Sequence, residues 1–211
     1  MSYKKLYIII SSLVLAFVLV INSMLVIAAP KKVNAETSTS GSIKVQFYNH
    51  SKASLSDTVY PEFRIYNTGT SSINLYDIKV RYYYTIDGET TQNYWCDWSS
   101  KGSINVRGSF FKMTSPSQYA DYYLEIGFTS GAGTLSPGTY VEVQSRFAKS
   151  TWTSYTQTND YSFNSTTSTY TDWSKVTGYI NGVLAWGTEP AAPSPTPTVT
   201  PTPTPTITPT P

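Results

Sequence analysis

The sequence predicts an all-β sandwich or jelly roll on three grounds. Short runs alternate apolar and polar residues with period two, turn-forming residues separate them, and nothing after residue 35 shows a capped 3.6-residue apolar period. The abundance of β-branched and aromatic residues agrees. The chain has 211 residues, 13% charged and 15% aromatic, enough for one ordinary domain plus tails. A single cysteine excludes an internal disulfide and a Cys-rich zinc site, and a single histidine argues against a His-based triad or multi-His metal centre.

Lys4 and Lys5 precede an uncharged apolar run from Leu6 to Ala29, and Val33-Asn34-Ala35 follows as a small-residue cleavage pattern. Residues 1–35 therefore read as a secretory signal. The run is also long enough to span a bilayer, so an uncleaved anchor holding the domain at the cell surface stands beside that reading. Either way the remainder is exported and extracellular. Residues 1–35 carry four lysines and no acid, which leaves 11 basic against 13 acidic groups elsewhere. The net charge of +2 thus resides in the leader, and nothing in the body suggests a nucleic-acid surface.

Residues 36–41 form a short linker into a domain spanning 42–190. Ile43 to Tyr48 and Pro61 to Tyr66 alternate as half-buried strands, the second ending at Asn67-Thr68-Gly69. Ile78, Val80, Tyr82 and Tyr84 alternate with Lys79, Arg81, Tyr83 and Thr85, and Asp87-Gly88 follows as a hairpin signal. Further strands are expected at Ser109–Met113, Tyr122–Phe128, Tyr140–Phe147 and Thr177–Trp186. From Ala191 to Pro211 repeated Thr-Pro favours an extended polyproline II spacer. Spacers connect modules, so a further module beyond it is expected.

The acids Asp87, Glu89, Asp97, Asp121, Glu125, Glu142, Asp160 and Asp172 are scattered, and no Gly-x-Ser-x-Gly, phosphate loop or His-Glu-x-x-His motif occurs. A non-catalytic role is expected. His50 reads as a loop residue and Cys96 as a buried packing thiol. Five tryptophans and 16 tyrosines lie in the exported part, more than a core of this size requires. Their faces suit the C–H faces of sugar rings, although most must serve as core or sheet pairs.

Arg81-Tyr82-Tyr83-Tyr84-Thr85-Ile86-Asp87-Gly88 and Trp95-Cys96-Asp97 resemble the family 3 carbohydrate-binding modules of cellulosomal scaffoldins and bacterial cellulases. So do Arg146 to Trp152, Tyr155 to Phe163 and the closing Asn181 to Pro190. The resemblance covers residues 42–190. It implies a nine-stranded jelly-roll sandwich, a structural calcium ion and cellulose or a related β-glucan as partner. It implies no catalysis; a monomer is expected, as is usual of modules on stalks.

Carried over by motif, the calcium ligands fall on Thr85, Asp87, Thr156, Asn159 and Asp160. Two carboxylates with hydroxyl, amide or carbonyl oxygens form a hard-oxygen set of the kind calcium takes. The cellulose strip falls on Asp97, Arg146 and Trp152, with Trp98 where the family has histidine. The segment between Asp97 and Phe110 is about ten residues shorter than in strong cellulose binders and lacks the strip's tyrosine. The resemblance therefore leaves two readings open: a module that targets a partner to plant cell wall, or one with weakened crystalline-cellulose binding that serves as a surface sensor. Gln144 matches a polar anchoring position, expected on the opposite face.

Overall fold

The computed structural model describes residues 42–192. The expected leader, its linker and nearly all of the Pro/Thr spacer lie outside the described residues. Strand β1 (Ile43–Asn49) leads through two short pieces, β2 (Leu55–Ser56) and β3 (Thr58–Val59), to β4 (Pro61–Asn67). After β5 (Ile73–Asn74) come β6 (Ile78–Tyr84), β7 (Gln92–Ser99), β8 (Val106–Ser117) and β9 (Ala120–Phe128). Then follow β10 (Thr134–Leu135), β11 (Tyr140–Lys149), β12 (Tyr155–Thr156), β13 (Thr171–Asp172), β14 (Thr177–Ile180) and β15 (Val183–Trp186). Nine of these strands are four residues or longer, and among the described residues there is no α-helix.

Two antiparallel sheets face each other. The first runs β13-β1-β4-β11-β3, with β7 on the free side of β11; the second runs β15-β14-β6-β9-β8. Period two makes the sandwich. Along β1 and β4 every second residue is buried, placing Ile43, Val45, Phe47, Phe63 and Ile65 in the core. From the second sheet Ile78, Val80, Tyr82 and Tyr84 enter the same core fully buried, while Lys79 and Arg81 face outward. Tyr82 packs 5.6 Å from Phe47, and Tyr84 packs 4.9 Å from Phe147. Burial of several large rings stabilises the sandwich by about 1.5–3 kcal/mol each.

Three expectations need correction. Thr177–Trp186 is a hairpin, because Asn181 (φ 50°) and Gly182 (φ 77°) both adopt the left-handed conformation that closes a two-residue turn. Asp87-Gly88 has left-handed backbone too, yet it joins no hairpin: β6 pairs with β9 and β14, whereas β7 pairs with β11 in the other sheet. The chain crosses between sheets there because Asp87 is engaged by Thr156 and Thr85. The third is β7 itself, a strand the alternation does not reveal.

Candidate carbohydrate platform and cation cluster

Strand β7 is hidden in the sequence because a bulge breaks its period. Trp95 lies opposite Arg146 and Cys96 opposite Ser145, but Trp98, not Asp97, lies opposite Gln144. Asp97 is the extra residue, so Asp97 and the neighbouring Trp98 are both exposed instead of alternating. Inward, Tyr94 packs on the core, and its ring lies flat against Gly108 of β8, where an added Cβ would come within 2.4 Å of Tyr94 Cγ. Only glycine lets the two edge strands approach so closely.

The bulge and the register bring the expected strip together. Arg146 Nε sits 3.3 Å from Asp97 Oδ1, and the guanidinium lies over the Trp95 ring at 5.3 Å from its centroid. Trp152 stacks on Trp95 at 6.1 Å with an interplanar angle of 18°. Trp152 is 58% exposed and Trp98 48% exposed, so large apolar plates stand at both ends of the ion pair. A guanidinium ion-paired with a carboxylate and lying over an indole, beside two exposed indoles, makes a partly polar stacking surface. Trp95 belongs to this platform although residue patterning does not single it out. Its signal is its place two residues before Asp97 on one strand.

Trp152 keeps its position at a backbone cost. Its φ of 57° is left-handed, and its N–H donates to Lys149 O at 3.0 Å. Lys149 is fully buried, and its ammonium donates to Ser154 O and to Asp87 O. Burial lowers the Lys149 pKa, against the raising influence of Asp87 and Asp121.

Gln144 corrects an expectation: it lies on the same face as the strip, not the opposite one. It pairs with Trp98, is separated by one residue from Arg146, and donates to Glu142 Oε1 at 2.9 Å. Cys96 is half-buried, with its thiol at 3.5 Å from Trp98 O, and burial pushes that thiol up to about 11. His50 lies in a bend after β1, exposed, with Nδ1 3.2 Å from Glu62. Beside the platform an open groove of about 620 Å³ lies over the seam where β7 meets β8, with Trp95 on one wall and Ile104 and Arg107 on the other.

At the far end of β6 the five expected calcium ligands converge. Thr85 Oγ1 lies 3.0 Å from Asp160 Oδ1, 3.1 Å from Asn159 Oδ1 and 3.4 Å from Asp87 Oδ1. One hydroxyl proton cannot satisfy three acceptor oxygens. Asp160 Oδ1 also accepts from Thr85 N at 2.8 Å, and Asp87 Oδ2 accepts from Thr156 N. Asp160 Oδ2 is buried with no hydrogen-bond partner. Burial holds the Asp160 carboxyl up at about 8, against the lowering hydrogen bonds from Thr85 and with a further push from Asp87 and Asp121. Asp121, which residue matching does not select, accepts from Ile86 N at 2.8 Å. An orphaned buried carboxylate oxygen amid oxygens short of protons fits a hard dication.

The comparisons identify the family and the fold. A protein-family model described as "Cellulose binding domain" matches residues 44–187. The chain is 56% identical over 150 residues to Exoglucanase-2 of Thermoclostridium stercorarium, covering 71% of this chain and 16% of that protein. Among solved structures it is similar to the CBM3b of the major scaffoldin subunit ScaA from Acetivibrio cellulolyticus, with TM-score 0.69 and 54% identity over 70% of this chain and 97% of that one. It is equally similar to a biomass-sensing module from a putative RsgI-like protein of Clostridium thermocellum, with TM-score 0.70 and 49% identity over 71% and 99% of the two chains. The chain spans only 15–20% of the length of curated relatives such as the exoglucanase.

Proposed function

Because the chain belongs to the family 3 cellulose-binding domains, we propose that it is a non-catalytic module that docks an attached partner on cellulose or a related β-glucan of plant cell wall. The observation that carries this reading is the exposed set of Trp152, Arg146–Asp97 and Trp98, with Trp95 half-buried as the support beneath Trp152 and Arg146. Glucose rings lie with their apolar C–H faces on the indoles and the flat guanidinium. Gln144 and Asp97 supply hydrogen bonds to equatorial hydroxyls. The export leader and the Thr-Pro spacer suit a secreted or surface-held module joined to another domain.

Thr85, Asp87, Thr156, Asn159 and Asp160 would hold a structural calcium ion. When bound, it supplies positive charge to the crowded oxygens. The chain's own contribution is to bring the β6–β7 crossing and the loop after β12 to one point.

Similarity to biomass-sensing modules matches a second reading, without favouring it over the first, in which the same platform reports bound polysaccharide to a signalling partner. Sedimentation of the chain with microcrystalline cellulose, amorphous cellulose, xylan and chitin tests the shared premise. Depletion on cellulose that is lost in Trp152→Ala supports it. No depletion on any of the four refutes it.

A further inference from the structure

The platform does not end at Trp98. The connection after β7, residues 100–105, holds no aromatic side chain. The outward positions of β11, however, continue past Gln144 to Glu142 and Tyr140. Each has an outward partner on β4: Gln144 lies opposite Glu62, Glu142 opposite Arg64 and Tyr140 opposite Tyr66. Six residue steps lead from Arg146 to Tyr140, so the line along β11 runs roughly 20 Å at the rise of an antiparallel strand.

What stands at its end repeats the chemistry of the strip. Arg64 Nε donates to Glu142 Oε2 at 2.7 Å, a closer pairing than the 3.3 Å ion pair of Arg146 with Asp97. The Arg64 guanidinium lies 4.0 Å from the Tyr170 ring centroid and 5.1 Å from that of Tyr140, as Arg146 lies on Trp95. Tyr140 is 43% exposed and is backed by Tyr66 at 4.9 Å. The two clusters are joined by the Gln144–Glu142 hydrogen bond. A third carboxylate-clamped arginine, Arg81 with Glu125, Tyr123 and Tyr179, lies on the other sheet and cannot share one flat ligand with these.

We propose that Tyr140, held by Tyr66 and Arg64, is a further β-glucan-stacking plate that extends the platform along β11 beyond Trp98. This rests on the glucan-binding reading above. It adds that one glucan chain lies parallel to β11, and that the short β7–β8 connection leaves the far end of the platform to β11.

The test uses the full chain, with depletion isotherms on microcrystalline cellulose and calorimetry with soluble cello-oligosaccharides of increasing length. Tyr140→Thr keeps a β-branched residue suited to the strand and removes the ring. It is expected to weaken binding at least fivefold, the scale of one lost stacking plate, and to flatten the gain in affinity with oligosaccharide length. Tyr140→Phe retains the plate and should bind within twofold of the parent. Tyr76→Ala, an exposed tyrosine elsewhere, should bind as the parent does. If Tyr140→Thr binds like the parent while Trp152→Ala does not bind, this inference is overturned and the platform stands. If the parent binds no glucan, both fall.

Discussion

Replacing Asp160 by asparagine should have opposite effects with and without calcium. In chelator the parent chain buries Asp160 Oδ2 without a partner, beside Asp87 and close to Asp121. An unsatisfied buried polar atom costs about 1–3 kcal/mol. Asparagine keeps the oxygen that accepts from Thr85 N and Thr85 Oγ1, and removes a carboxyl that burial holds up at about 8, so that at pH 7 folding no longer has to bury its charge or take up a proton. Asp160→Asn should therefore melt higher than the parent in chelator at pH 7, by about 2–4 °C for each kcal/mol recovered in a domain of this size. With millimolar calcium the order should invert. The parent gains the binding free energy of the ion, about 2.7 kcal/mol at a hundred times Kd, while the variant has lost a charged ligand. Differential scanning calorimetry of both proteins in both buffers reads the crossing. A parent melt that calcium does not move, or a variant that melts below the parent in chelator, would refute the account of this cluster as a cation site.

Trp95→Ala should weaken cellulose binding at least as much as Trp152→Ala in depletion isotherms, because Trp95 supports both the Trp152 ring and the Arg146 guanidinium. Gly108→Ala should lower the melting temperature by several degrees, since its Cβ would overlap the Tyr94 ring and overpacking costs about 1–3 kcal/mol; an unchanged melt would show that β7 and β8 yield there. Burial would raise the Glu142 pKa, but hydrogen bonds from Arg64, Gln144 and Tyr170 outweigh it and hold the carboxyl below its ordinary 4.5. A depressed folded pKa contributes stability above pH 4.5 that is lost as pH falls through the folded value, so Glu142→Gln should flatten the acid limb of a urea-denaturation pH profile below 4.5.

The sandwich was legible because its core strands obey period two without interruption. In β1, β4 and the first half of β6, alternation alone separates Val45, Ile65 and Val80 from Gln46, Arg64 and Arg81. The functional strand was not, for a physical reason. A bulge at Asp97 sets two successive side chains on one face, and Tyr94 is turned inward by a contact with Gly108 that is fourteen residues away in sequence. The residues of the platform could still be matched by motif, since Asp97, Arg146 and Trp152 keep their places within ordered stretches of sequence. The end of the platform at Tyr140 could not, because it depends on which residues β11 and β4 set side by side. Likewise the cation cluster could be matched residue by residue, but the orphaned oxygen of Asp160 and the presence of Asp121 appear only in three dimensions.

Lys149 ties the proposed binding strip to the oxygen cluster. Its backbone carbonyl accepts from Trp152 N, and its ammonium donates to Ser154 O, so both sides of the exposed indole are tied to one residue. The same ammonium donates to Asp87 O, the backbone of a residue in the oxygen cluster. A fully buried ammonium with carbonyl partners has no cheap alternative position, because any movement strands a charge in low dielectric. The left-handed turn that displays Trp152 is therefore braced against the crossing that carries Asp87. Stacking on a rigid polysaccharide gains most when the plates are already fixed, since each side chain ordered on binding costs about 0.5–1.5 kcal/mol. Fixing Trp152 through Lys149 moves that cost from binding to folding, which is where a crowded oxygen cluster closed by a cation would also act.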